Sequence, residues 1–126
     1  MTVVDSSGWI EYLEEKPHAS SVEKYLVSTD SLVVPTLIFY EVFRQLIKKS
    51  SEEEALLAVT QMEKGIVVPL SQEISIYAAQ LSLKHKLGTA DAIIYASAQM
   101  NDAELITLDN DFRDLPGCTV INSTNK

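Results

Sequence analysis

Five short apolar runs rich in β-branched residues recur along the chain, separated by longer stretches with helical periodicity. They are Thr2 to Val4, Leu32 to Val34, Ile66 to Val68, Leu105 to Thr107 and Thr119 to Ile121. None alternates polar with apolar residues, so each needs cover on both faces. Strands of that kind, separated by helices, build a parallel sheet between helical layers. The sequence therefore predicts a three-layer α/β/α fold. Its 126 residues suit one domain, 1–126, large enough to bury about two thirds of the surface exposed by the unfolded chain. No repeat or linker divides it.

The helices can be placed from their ends. Ser6 or Ser7 is positioned to cap a first helix carrying Trp9, Ile10 and Leu13; Pro17 interrupts it, and a second follows through Val22, Tyr25 and Leu26. Pro35-Thr36 opens a third, with Ile38, Val42 and Leu46 on one stripe. Ser51-Glu52-Glu53-Glu54 reads as a capping box with an acidic first turn, and Lys64-Gly65 as its stop. Ser71 begins a helix through Ile74, Ala78 and Leu81 that Gly88 closes, with His85 a solvated helix-end residue. Thr89 caps the last helix, and the polar tail Asn122 to Lys126 is expected to fray.

Eighteen acids against ten bases leave a net charge of -8, which argues against broad nucleic-acid binding through a basic surface. The objection weakens if several acids share one site. The longest apolar stretch, Leu32 to Tyr40, contains Pro35 and Thr36 and is too short to span a bilayer. The N-terminal Met-Thr-Val-Val-Asp lacks the features of a secretory signal, and the single Cys118 has no internal disulfide partner. Both suit a cytoplasmic protein, with Cys118 as a small core residue.

The acids carry the functional argument. In open parallel sheets ligands bind beyond the carboxyl ends of the strands, where the strand order reverses. Asp5 follows the first strand and Asp109 the fourth; these strands are neighbours if the chain reverses direction about the first. Glu41 and Asp91 lie on helices that begin on the same edge. Asp91 also complements the dipole of its helix, which by itself is worth about 0.3 to 1 kcal/mol. Four acids from four segments repel one another by roughly 4 kcal/mol per pair at 4 Å and an effective dielectric near 20. A hard divalent cation compensates such a cluster, and an oxygen-only set without His or Cys points to Mg²⁺ or Mn²⁺, one ion or two. Such ions activate water for phosphodiester hydrolysis. Arg44, Lys48, Lys49 and Arg113 are candidate contacts to backbone phosphates.

The ordered set Asp5-Ser6-Ser7, Glu41, Thr89-Ala90-Asp91-Ala92 and Thr107-Leu108-Asp109-Asn110-Asp111-Phe112 resembles PIN-domain ribonucleases, above all the VapC toxins of toxin-antitoxin pairs. The likeness spans essentially the whole chain. It implies a five-stranded sheet of order 3-2-1-4-5 and a Mg²⁺- or Mn²⁺-dependent endoribonuclease with Asp5, Glu41, Asp91 and Asp109 as its acidic quartet. By the same resemblance Asp111 is an additional metal-site acid. Ser6 and Thr107 match hydroxyl positions beside the site, where helix capping and a strand-end hydrogen bond are equally good accounts. A homodimer and a small antitoxin partner are also implied. Three other readings compete. A catalytically inactive PIN-like binding or scaffold protein would keep the fold alone. A receiver-type phosphoacceptor domain wants an Asp ending the third strand and a Lys after the fifth, and Val68-Pro69-Leu70 and Ile121-Asn122 supply neither. A haloacid-type phosphatase wants a second Asp where Ser7 stands.

Overall fold

A computed structural model describes residues 1–121; the expectation for Asn122–Lys126 lies outside the described residues. The strands are β1 (Thr2–Val4), β2 (Leu32–Pro35), β3 (Ile66–Val68), β4 (Glu104–Thr107) and β5 (Cys118–Val120). They form one parallel sheet of order β3-β2-β1-β4-β5. Six helices flank it: α1 (Ser6–Leu13), α2 (Ala19–Leu26), α3 (Thr36–Lys49), α4 (Glu52–Met62), α5 (Gln72–His85) and α6 (Thr89–Met100). They pack as the pairs α1 with α2, α3 with α4 and α5 with α6. The chain departs from β1 toward β2 and β3, then crosses back to β4 and β5, so the order reverses between β1 and β4. Thr2, Val3 and Val4 lie beside Glu104, Leu105 and Ile106 in register. That pairing sets Asp5 and Asp109 at one end of adjacent strands.

The core runs through the three central strands: Val3, Val4, Val33, Val34, Leu105 and Ile106 are all buried. Ile38, Val42 and Leu46 bury the predicted stripe of α3, and Trp9 is core. Tyr12 and Leu13 pack against the core, only partly buried. β3 departs from the expectation of cover on both faces, since Ile66 and Val67 are each about two-fifths exposed, at 41% and 42%. As the sheet's edge it pairs only with β2.

Several helix ends also differ from expectation. Asp5, not Ser6 or Ser7, caps α1. α4 stops at Met62, before Lys64-Gly65. Gly65 serves close approach instead: a Cβ there would sit 2.9 Å from the Leu32 carbonyl oxygen. α5 closes on Lys86 in the left-handed conformation, and Gly88 caps α6 while Thr89 is its first residue. The caps at Ser51 and Ser71 form as predicted, accepting from Glu54 N and Ile74 N. His85 is not simply solvated; its ring meets that of buried Tyr95 edge-on at 5.9 Å. Cys118 is partly buried, and burial pushes its thiol up to about 12, with Glu104 and Asp5 adding to the effect. It is therefore protonated and a poor nucleophile at neutral pH. Among the described residues no helix is long and apolar enough to cross a membrane.

Candidate active site

Asp5 is the best-anchored of the acids. It leaves β1 in an extended conformation and caps α1, its Oδ1 accepting from Gly8 N at 3.1 Å and Ser7 Oγ at 2.6 Å. From β4, Thr107 Oγ1 donates to Asp5 Oδ2 at 2.6 Å. A carboxylate has about four lone-pair sites, so three donors leave it roughly one for a ligand. The approach of Gly8 N is close because residue 8 has no side chain: a Cβ there would meet Val4 Cγ1 at 2.6 Å.

The hydroxyl on Asp5 from α1 belongs to Ser7. Ser7 Oγ also accepts from Leu108 N at 3.0 Å, and Thr107 Oγ1 accepts from Asp109 N at 3.0 Å. These bonds tie the ends of β1 and β4 into one rigid edge. Ser6 acts on Glu41, favouring its charged form. Asp109 caps a short 3₁₀ turn, Asn110–Phe112, with Oδ1 accepting from Asp111 N at 2.9 Å. Phe112 anchors that turn in the core, its ring edge-on to Tyr95 at 6.2 Å.

Glu41 lies in the second turn of α3, and Asp91 in the first turn of α6. Burial raises the carboxyls of Asp5, Glu41 and Asp91 above their ordinary values. For Asp5 the bonds from Ser7, Thr107 and Gly8 N oppose the rise, and Asp109 adds to it. For Glu41, Ser6 opposes, while Asp91 and Asp5 add. Asp91 feels Asp109, Asp5 and Asp111 in that order. Acids from β1, α3, α6 and the turn after β4 thus share one electrostatic environment.

Two observations bear on whether these residues fit a cation. Glu41 Oε1 is shielded from solvent and has no hydrogen-bond partner among the described residues, an arrangement that costs about 1–3 kcal/mol or more for a charged group. Nor does any of the four acids form an ion pair with a lysine or arginine there; the ion pair present joins Lys16 and Glu14 at 3.2 Å. Among the described residues no three metal-binding side chains converge tightly enough to make a closed ligand cluster. The unpartnered carboxylate oxygen and the all-oxygen donor set suit a hard cation such as Mg²⁺, which takes one or two carboxylates directly and keeps several of its waters.

The basic candidates fall in different places. Arg44 is exposed and lines the cleft beside Glu41. Lys48 and Lys49 are exposed at the far end of α3. Arg113 is exposed and bonded to its own turn, Nη2 to Asn110 Oδ1 at 2.7 Å. Asp111 is exposed at the rim.

This sheet order, with acids gathered at the carboxyl edge where it reverses, defines an α/β domain with a carboxylate-lined cleft. The PIN domain family model matches residues 2–117, and the chain belongs to that family of nucleases. No curated protein matches by sequence. Among solved structures, a chain of a toxin-antitoxin complex from Klebsiella pneumoniae superposes with a TM-score of 0.81 at 24% identity, over 95% of this chain and 97% of that one. VapC20 from Mycobacterium tuberculosis, described as a toxin that cleaves the sarcin-ricin loop, gives 0.76 at 13% identity over 93% and 96%. A DNA-bound VapBC complex from Salmonella typhimurium gives 0.76 at 17% over 96% and 98%. The fold is that of the VapC toxins.

Proposed function

We propose that the protein is a Mg²⁺- or Mn²⁺-dependent endoribonuclease acting as the toxin of a VapBC-type pair in the cytoplasm. The observation that carries this reading is the buried, unpartnered Glu41 Oε1 on a carboxyl that feels acids from two other segments, Asp91 and Asp5, and forms no ion pair with a lysine or arginine among the described residues. Asp5 and Asp91 would hold one or two ions, with Glu41 and Asp109 binding directly or orienting water, and Asp111 assisting from the rim. A cation bound there supplies charge against the scissile phosphate and lowers the pKa of water.

The chain's own residues do the rest. Ser7, Thr107 and Gly8 N fix the rotamer of Asp5, so its free lone pair points one way. Glu41 keeps one carboxyl oxygen, Oε1, without a hydrogen-bond partner among the described residues, and Ser6 favours the charged form of that carboxyl. Water, not a side chain, is the nucleophile, so no covalent enzyme intermediate forms and RNA carrying a 2′-deoxy sugar at the cut is still cleaved. Arg44, Lys48, Lys49 and Arg113 would contact phosphates. A small antitoxin presenting an arginine would neutralise the acidic cleft in place of metal, and the protein would act as a homodimer.

The test is cleavage of total cellular RNA in Mg²⁺ or Mn²⁺ by antitoxin-free protein, beside EDTA and Asp91→Asn. Discrete cuts that vanish with chelation and with the substitution support the proposal. Cuts that survive both count against a metal-dependent reaction at Asp91, and no cuts from folded protein favour a PIN-like binding protein.

A further inference from the structure

The cleft beside the carboxylates continues past them. It encloses about 600 Å³ between α1 with its following loop and α3, and Glu41, Lys16, Tyr40 and Arg44 line it. The loop wall is braced from within: buried Glu11 accepts from His18 N at 2.9 Å through Oε2, and its carbonyl accepts from Lys16 N at 3.0 Å. On the other side of Tyr40 lies an apolar groove of about 400 Å³ lined by Tyr40, Phe43, Arg44, Ile47 and Lys48. Tyr40 and Arg44, one helical turn apart, therefore form a ridge between the two.

Tyr40 does nothing evident for the fold. It is 63% exposed and stands outside the core cluster, and among the described residues it makes no hydrogen bond or ring contact. Its neighbours give it a chemistry. In a chain of net charge -8 with only ten basic residues, three of them, Lys16, Arg44 and Lys48, border the two hollows that Tyr40 separates. At a rise of 1.5 Å per residue, Arg44 lies about 4.5 Å and Lys48 about 10.5 Å along α3 from Glu41. An exposed ring flanked by cations in a row suits a strand whose bases stack and whose phosphates are neutralised. A protein partner would use the apolar groove without needing that row.

We propose that Tyr40 is a stacking platform for a base next to the scissile phosphate, with Arg44 taking the adjoining phosphate. A base can reach the ring only when unstacked from its own helix, and the strand then runs from the carboxylates over the Tyr40-Arg44 ridge. The inference rests on the nuclease reading and names residues that position its substrate.

The test uses a short RNA spanning a cut mapped in total cellular RNA, its annealed duplex, and versions with one nucleotide near the cut made abasic. Tyr40→Ala, folded as wild type because the side chain is exposed, is expected to lower kcat/KM by about 5- to 150-fold, the range of one base-aromatic stack. Tyr40→Phe rescues that loss. One abasic position costs the wild type a similar factor and costs Tyr40→Ala almost nothing, and the duplex resists cleavage. Wild-type kcat/KM in Tyr40→Ala, or equal abasic losses in both proteins, overturns the inference while leaving the nuclease reading intact. A variant that cuts normally but escapes inhibition by a purified antitoxin assigns the ridge to a protein partner instead. Absence of any cut by the wild type overturns both.

Discussion

Glu41→Gln is expected to make the metal-free protein more stable and less active. The glutamate feels the acids of two other segments and has one oxygen shut away from water, and burial holds its carboxyl above the ordinary value, with Ser6 opposing and Asp91 and Asp5 adding. At neutral pH the folded chain must carry a charge that the unfolded chain solvates freely. The amide keeps the shape and removes the charge. Relieving a functional site of this kind gains about 0.5–2 kcal/mol, or about 3–5 °C per kcal/mol for a chain between the sizes usually tabulated.

The pH dependence fixes the cause. Because the folded carboxyl is raised, the folded state binds more protons than the unfolded state between the ordinary value of 4.5 and the raised one, and stability falls as pH climbs through that window. Below it both states are protonated, and the substitution gains nothing from charge. Thermal melts in EDTA at pH 7 and about pH 3.5, below the reference value for glutamate, read this directly. A gain at pH 7 that disappears in acid is the expected result; a loss at pH 7, or an equal gain at both, refutes the reasoning. Saturating Mg²⁺ should narrow the pH 7 difference, since a ligand at 100 times its Kd adds about 2.7 kcal/mol to the state that binds it.

Thr107→Val removes the donor to Asp5 Oδ2 and the acceptor of Asp109 N. Thermal unfolding should show about 1–3 kcal/mol lost per buried group left unpaired, with RNA cleavage falling as well; a variant equal to wild type in both would show that the hydroxyl positions nothing. Gly65→Ala places a methyl 2.9 Å from the Leu32 carbonyl oxygen, and urea denaturation should find it about 1–3 kcal/mol less stable with cleavage preserved in the folded fraction. Neutralising Arg44 should reduce the salt slope of RNA binding by about 1, measured by titration at several ionic strengths; an unchanged slope would remove it from the phosphate path.

What the sequence made legible was whatever depends on local pattern. The five apolar runs, the helical stripe of Ile38, Val42 and Leu46, and the serine caps at Ser51 and Ser71 follow from periodicity and from side chains that reach three residues ahead. Asp5 and Asp109 stood out as acids that follow strands, Asp91 as an acid in the first turn of an apolar helix, and Glu41 as an acid on a helix that begins at the same edge. What stayed hidden depends on distant segments. Asp5-Ser6-Ser7 offers three capping side chains in a row, and only the bond from Thr107, 102 positions away, selects the rotamer that makes Asp5 the cap. Ser7 was missed for the same reason, since Leu108 N and Thr107 define its place. The exposure of β3 follows from strand order, which the composition of Ile66-Val67-Val68 does not encode. Tyr40 carried no signal beside Phe39 and Phe43, because only the helix's rotation decides which of the three rings leaves the core.

The account stands most directly on Mn²⁺ binding by wild type, Asp5→Asn and Asp91→Asn, followed by electron paramagnetic resonance at neutral pH. One or two specific equivalents in wild type, weakened at least tenfold by either substitution as expected when a metal site loses a ligand or its support, would establish that acids from separate segments hold a common cation. Mn²⁺ affinity unchanged by both substitutions would contradict it.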